Sequence, residues 1–184
     1  MKNPWKTLSS KEIYKNQWLR LREDQVITPS GHNGIYGVVE AKPAIAIVPL
    51  SENQDTYLVG QYRYTLDEYS WEVPEGGALD GEHTLSGAKR ELKEETGLTA
   101  RTWTYLGELY TSNSFTNERG YVYLAEDIFD GVSNPDSTEQ LRIKKIPFLQ
   151  AWQLVLEGSI KDALSIVSIL RAYEYLKKSQ KLNN

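Results

Sequence analysis

At 184 residues, with 40% hydrophobic and 25% charged side chains, the chain has the size and composition of one globular domain with a sizeable core. Its formal net charge of −4 gives no broad basic surface for polynucleotides. The absence of cysteine excludes disulfides and thiolate zinc sites, and two histidines, His32 and His83, are too few for a histidine-rich metal site.

In chain order, "MKNPWKTLSSKEIYKNQW" has no apolar h-region, so no secretory signal is expected, and no apolar run is long enough for a transmembrane helix. "WLRLREDQVITP" alternates loosely and ends at the turn "PSGHNG". "GIYGVVEA" and the isoleucine- and valine-rich "AIAIVPL" follow as strands, the second suited to a buried position. "TYLVGQYRY" is a further strand, and "YSWEVPEGG" leads into a glycine-rich loop. From Thr84 to Glu95 the pattern turns helical and Gly97 stops it. Strands return at "WTYLGELYTS", "GYVYLAEDI" and, beyond the polar "DGVSNPDSTEQ", at "LRIKKIPF". Amphipathic segments at 147–156 and 159–177 close the chain before a polar tail. Strands around one central helix, with helices at the end, predict a mixed α/β layer architecture in one domain.

The central helix carries the chemistry. On a helix of 3.6 residues per turn, Leu85, Ala88 and Leu92 share a core-facing arc. Glu91, Glu94 and Glu95 are neighbours on the other side, with Arg90 flanking them. Three such carboxylates fit either a solvated acidic face or a site for a positive ion. The loop "PEGGALDGE" brings three glycines, which allow close backbone approach. Hard oxygen donors beside such a loop suit magnesium, which shares its coordination with water and phosphate.

Residues 76–98 resemble the signature of the Nudix hydrolases at every fixed position: Gly76, Glu82, Arg90, Glu91, Leu92, Glu94, Glu95, Gly97 and Leu98. The resemblance implies an α/β/α sandwich around a mixed sheet, with an N-terminal antiparallel strand region. It implies metal-dependent hydrolysis of a nucleoside diphosphate linked to another group, with Mg²⁺, or Mn²⁺ in its place, as cofactor. Glu91 and Glu95 match the principal metal ligands, with Glu94 ligating or supporting them, and the carbonyl of Glu75 adds a ligand. Arg90 orients the glutamates and Glu82 ties the loop to the helix.

"VGQYRYTLDEYSWEVPEGG" resembles the corresponding run of ADP-ribose and nucleoside-diphosphate-sugar pyrophosphatases. There Arg63 contacts the diphosphate, the alternative being a strand-edge charge, and Glu72 lies in the site, the alternative being an ion pair. Downstream, those enzymes often show Pro-Gly-Phe-x-x-Glu, whereas this chain has Asn113-Ser114-Phe115 and then Glu118. Without the proline, the choice among nucleotide sugars stays open; Glu118 is a substrate-binding candidate and Phe115 reads as core. The catalytic base is expected before the last strand, Glu139 first and Asp136 second. Trp5, Trp18 and Tyr36 are candidates to stack on a base, or simply packing.

"NPWKTLSSKEIYKNQWLRLRED" resembles the segment that exchanges across a two-fold dimer in this subfamily. The resemblance thus divides one domain, 1–184, into a dimerising strand region at about 1–42 and a core at 43–177. The partners implied are a nucleotide sugar and a second copy of the chain, in the cytoplasm, with no polynucleotide and no membrane. Another Nudix substrate, such as a dinucleoside polyphosphate or NADH, and a non-catalytic nucleotide sensor are the competing readings.

Overall fold

Alternation along one strand organises the core of the computed structural model, which describes residues 2–132 and 140–182. Strand β4 (Ala44–Pro49) sends Ile45 and Ile47 to one face and Ala46 and Val48 to the other, all fully buried. Ile45 and Ile47 pack with Ala88 and Leu92 of α1 (Thr84–Thr96). Ala46 and Val48 pack with Phe148 and Ala151 of α2 (Phe148–Leu156) and with Ile169 and Ala172 of α3 (Ala163–Lys178). Each of the larger side chains, Ile, Val, Leu and Phe, contributes roughly 1.5–3 kcal/mol on burial, and the alanines let the helices sit close on the strand. The sheet between the helices has the order β7-β4-β9-β8, with β7 at Glu75–Gly77, β8 at Thr99–Tyr110 and β9 at Arg119–Phe129. It is mixed, because β4 runs parallel to β9 and antiparallel to β7. The expected α/β/α sandwich around a mixed sheet is what forms.

A second, antiparallel sheet of order β10-β5-β6 joins β5 (Asp55–Arg63), β6 (Glu68–Glu72) and β10 (Arg142–Pro147). Gly60 faces Tyr69 and Trp71, where a Cβ would lie 2.4 Å from the tyrosine hydroxyl, so only glycine lets these rings cross the sheet. Helix α3 begins at Ala163 and not at 159, because Asp162 caps it: its carboxylate accepts the Ser165 N–H at 2.6 Å.

The chain divides into two compact units, Met1–Pro43 with Tyr110–Arg119, and Ala44–Leu109 with Gly120–Asn184. The first is an antiparallel meander of β1 (Lys6–Lys15), β2 (Leu19–Ile27) and β3 (Asn33–Ala41). Alternate residues of β2 build a charged ladder: Arg20 pairs with Glu12 and Glu40 at 2.9 and 3.0 Å, and Arg22 pairs with Glu40 at 2.9 Å and with Asp24. The 110–119 segment joins β3 through Val39, whose N–H donates to the Phe115 carbonyl at 2.8 Å. Phe115 is 52% exposed, contrary to the core position expected, because only its backbone is used in this contact. Trp5 packs edge-on against Tyr36 at 5.4 Å, and Trp18 is exposed at the β1–β2 turn. Among the described residues no helix is long and apolar enough to cross a membrane.

Candidate active site

Helix α1 stops at Gly97, whose φ of 77° is left-handed and whose N–H returns to the Lys93 carbonyl. Near its start, Gly87 lets it sit close on β4, since a Cβ there would fall 2.4 Å from Ile45 Cδ1. That contact fixes which way the glutamates point. They do not form one solvated face: Glu91 is 9% and Glu95 2% exposed, and only the Glu94 side chain reaches well into solvent.

Two backbone features of β7 hold the buried pair. The Glu91 carboxylate lies over Gly76, where a Cβ would come within 2.2 Å of its carboxyl carbon, so any side chain at 76 would displace it. The Glu75 N–H donates to Glu95 Oε2 at 3.0 Å. Arg90 gathers the rest. Its Nε and Nη2 donate to the two oxygens of Glu82 at 3.1 and 2.9 Å, and its Nη1 to Glu91 at 2.7 Å and Glu94 at 2.9 Å. Nη2 also donates to the Gly77 carbonyl at 2.9 Å. A guanidinium has five N–H groups, and these five contacts use them all; a lysine could not. Glu82 further accepts the Leu79 N–H at 2.9 Å, and the Arg90 hydrogen bonds hold its carboxyl below the usual range.

Beside this cluster lies a second fork. Arg63 Nε donates to both oxygens of Glu72 at 3.0 and 3.1 Å, and Nη2 pairs with Glu72 and, at 3.0 Å, with Glu75. Burial opposes the Arg63 charge, but the hydrogen bond and charge of Glu72 outweigh it and hold the guanidinium above its ordinary value. Nη1 has no partner among the described residues. Burial pushes the Glu75 carboxyl well up, reinforced by the charges of Asp162 and Glu72, against the attraction of Arg63. These residues, with Tyr69 and Lys161, line a cavity of about 430 Å³. The ion-pair alternative for Glu72 and a place in a cavity are therefore both realised.

The donors fit a hard divalent cation: every candidate ligand is a carboxylate or carbonyl oxygen. The buried Glu75 Oε2 also makes no hydrogen bond among the described residues. Among those residues no three acidic or imidazole groups already converge as a complete ligand set, so water and substrate oxygens would complete the coordination.

The expected site residues thus fall into three groups. Glu91, Glu94, Glu95, Arg90, Glu75, Arg63 and Glu72 come together in the second unit. Glu118 lies in the first unit, its N–H donating to Thr116 Oγ1 at 3.1 Å. Glu139 and Asp136 lie outside the described residues. Asp162, on the cavity wall, and Ser165 behind it were not anticipated. The spacing of Asp162 and Ser165 carries a helix-cap signal that could have found the first.

Known proteins are similar at two levels. Residues 5–39 match the family model of a nucleoside diphosphate sugar hydrolase N-terminal domain, and residues 40–164 match the NUDIX domain. The ADP-ribose pyrophosphatase of Mycobacterium tuberculosis is 35% identical over 92% of this chain and 83% of that protein. That of Bacillus subtilis is 28% identical over 89% and 90%. A solved structure, the crystal structure of an ADP compounds hydrolase, superposes with a TM-score of 0.85 over 97% of both chains at 21% identity, which bears on the fold alone.

Proposed function

This chain belongs to the Nudix family, and we propose that it hydrolyses the diphosphate bond of nucleoside diphosphate sugars such as ADP-ribose, giving AMP and ribose 5-phosphate, with Mg²⁺ as its cofactor and Mn²⁺ as a substitute. The observation that carries this reading is that Glu75 joins the two clusters: its carboxylate accepts from Arg63 of the cavity-lining Arg63–Glu72 fork, and its N–H donates to Glu95 beside the Arg90-bound glutamates. When bound, the divalent ion neutralises the carboxylates, polarises phosphoryl oxygen and lowers the pKa of a bound water.

The side chains divide the remaining work. Glu91 and Glu95 hold the ion, with Glu94 and the Glu75 carbonyl in support, and Arg90 sets the orientation of Glu91 and Glu94. Arg63 donates to the substrate diphosphate, Glu72 fixes its fork, and Glu118 contacts substrate. Glu139, or Asp136 after it, takes the proton of the attacking water. One P–O bond forms, the diphosphate P–O bond breaks, and two phosphomonoesters leave.

The test is product analysis with Mg²⁺ on ADP-ribose, GDP-mannose, UDP-glucose, NADH and diadenosine polyphosphates. A nucleoside monophosphate plus a sugar phosphate is expected. Cleavage of dinucleotides with no turnover of any nucleotide sugar would overturn the substrate class.

We further propose a homodimer formed through the first unit. Every residue of β1 is exposed, including Leu8 at 54%, Ile13 at 49% and Tyr14 at 55%, an apolar load that a second copy would cover. Light scattering is expected to give twice the 21.0 kDa chain mass. A monomer at micromolar concentration would refute it.

A further inference from the structure

The backbone between the two forks is itself held at one buried point. β6 ends at Glu72 and β7 begins at Glu75, so Val73 and Pro74 lie outside both strands. Val73 is 1% exposed, and a buried N–H without a ladder partner must find another acceptor. It donates to Ser165 Oγ at 3.0 Å, across 92 residues of sequence. Ser165 is fully buried, and its own N–H is fixed by the Asp162 cap at 2.6 Å. The Pro74 carbonyl is held from the other side by the Ile47 N–H at 2.9 Å. Glu72, at one end of this bridge, orients Arg63, and the Glu75 N–H, at the other end, orients Glu95.

We propose that Ser165 is a positioning residue for hydrolysis: through the Val73 amide it sets the segment that places Arg63 on the substrate side and Glu95 on the metal side. The inference rests on the function proposed above. Removing the hydroxyl leaves the Val73 N–H buried and unpaired, and the segment must shift to relieve it. Both forks move with it. Ser168 supplies the control: it lies three residues on in the same helix, is also fully buried, and its Oγ makes no hydrogen bond among the described residues.

The experiment compares the whole chain as wild type, Ser165→Ala and Ser168→Ala, with kcat and KM normalised to folded protein and with amide hydrogen exchange at Val73. Ser165→Ala is expected to lower kcat by about 10- to 100-fold, the usual loss when a group that orients a ligand is removed. KM should rise as well, because Arg63, displaced by the same shift, meets the diphosphate already in the ground state. Val73 exchange should become faster in this variant alone, and Ser168→Ala should match wild type. A kcat for Ser165→Ala equal to that of Ser168→Ala would overturn the proposal, as would an unprotected Val73 amide in the wild type, which can be measured even if the variant does not fold. Absence of wild-type turnover on every nucleotide sugar would refute the substrate reading instead, and the same kcat comparison, made on the dinucleotide that is cleaved, would still decide the role of Ser165.

Discussion

Glu95→Gln is expected to fold as wild type does and to lose about 10³-fold in kcat, the equivalent of several kcal/mol of metal-borne transition-state stabilisation. The substitution separates structure from charge. Glu95 is 2% exposed and its carboxylate accepts the Glu75 N–H, which a glutamine amide oxygen also does. What glutamine lacks is the negative charge and the strong oxygen donor that a hard cation requires. Circular dichroism and the thermal midpoint should therefore stay close to wild type while ADP-ribose turnover with Mg²⁺ collapses. Retention of more than about a tenth of wild-type kcat would remove Glu95 from the ligand set. If wild type itself binds nucleotide sugars without turning them over, the protein is a sensor and not a hydrolase.

The fold was legible where local physics dominates. The Ile- and Val-rich run of β4 announces a strand buried on both faces, and the helix ending at Gly97 is marked by both periodicity and a left-handed stop. β1 cannot be read as a strand from its residues, although eight of its ten pair with β2. Register shifts between Thr7 and Ser9 and between Glu12 and Tyr14 break the two-residue period, and no face of it is buried, so no alternation survives to be read. The acidic helix shows a different limit. Spacing alone puts Glu91, Glu94 and Glu95 on one side, but what buries Glu91 and Glu95 is the β7 backbone, brought there by pairing with β4. The Arg63–Glu72 fork spans nine residues of a hairpin, but the register sets Arg63 opposite Glu68 and Glu72 opposite Val59, so strand pairing alone does not give it. The Ser165–Val73 bond joins a helix cap to a loop 92 residues away, and nothing local in either segment points to the other.

Arg90→Leu should destabilise the protein by about 2–3 kcal/mol in the presence of a chelator, somewhat less than the about 3–5 kcal/mol typical of breaking a fully buried ion pair, because the Arg90 side chain keeps 23% exposure. The loss is of three ion pairs and a carbonyl contact together, and it leaves Glu82, Glu91 and Glu94 with no shared counter-charge from the helix. Arg90→Lys restores the charge but has three donors for five acceptor contacts, so it should recover only part of the urea midpoint. The pH dependence has a definite sign. Arg90 holds the Glu82 carboxyl below its ordinary value, so this contribution is fully present above the unfolded glutamate pKa of about 4.3 and is lost as pH falls through the lower folded value. The midpoints of wild type and Arg90→Leu should therefore lie furthest apart near neutrality and converge below about pH 4. A gap that stays constant from neutral pH down to about 3 would mean that the arginine stabilises by packing its aliphatic stem, not by holding the carboxylates.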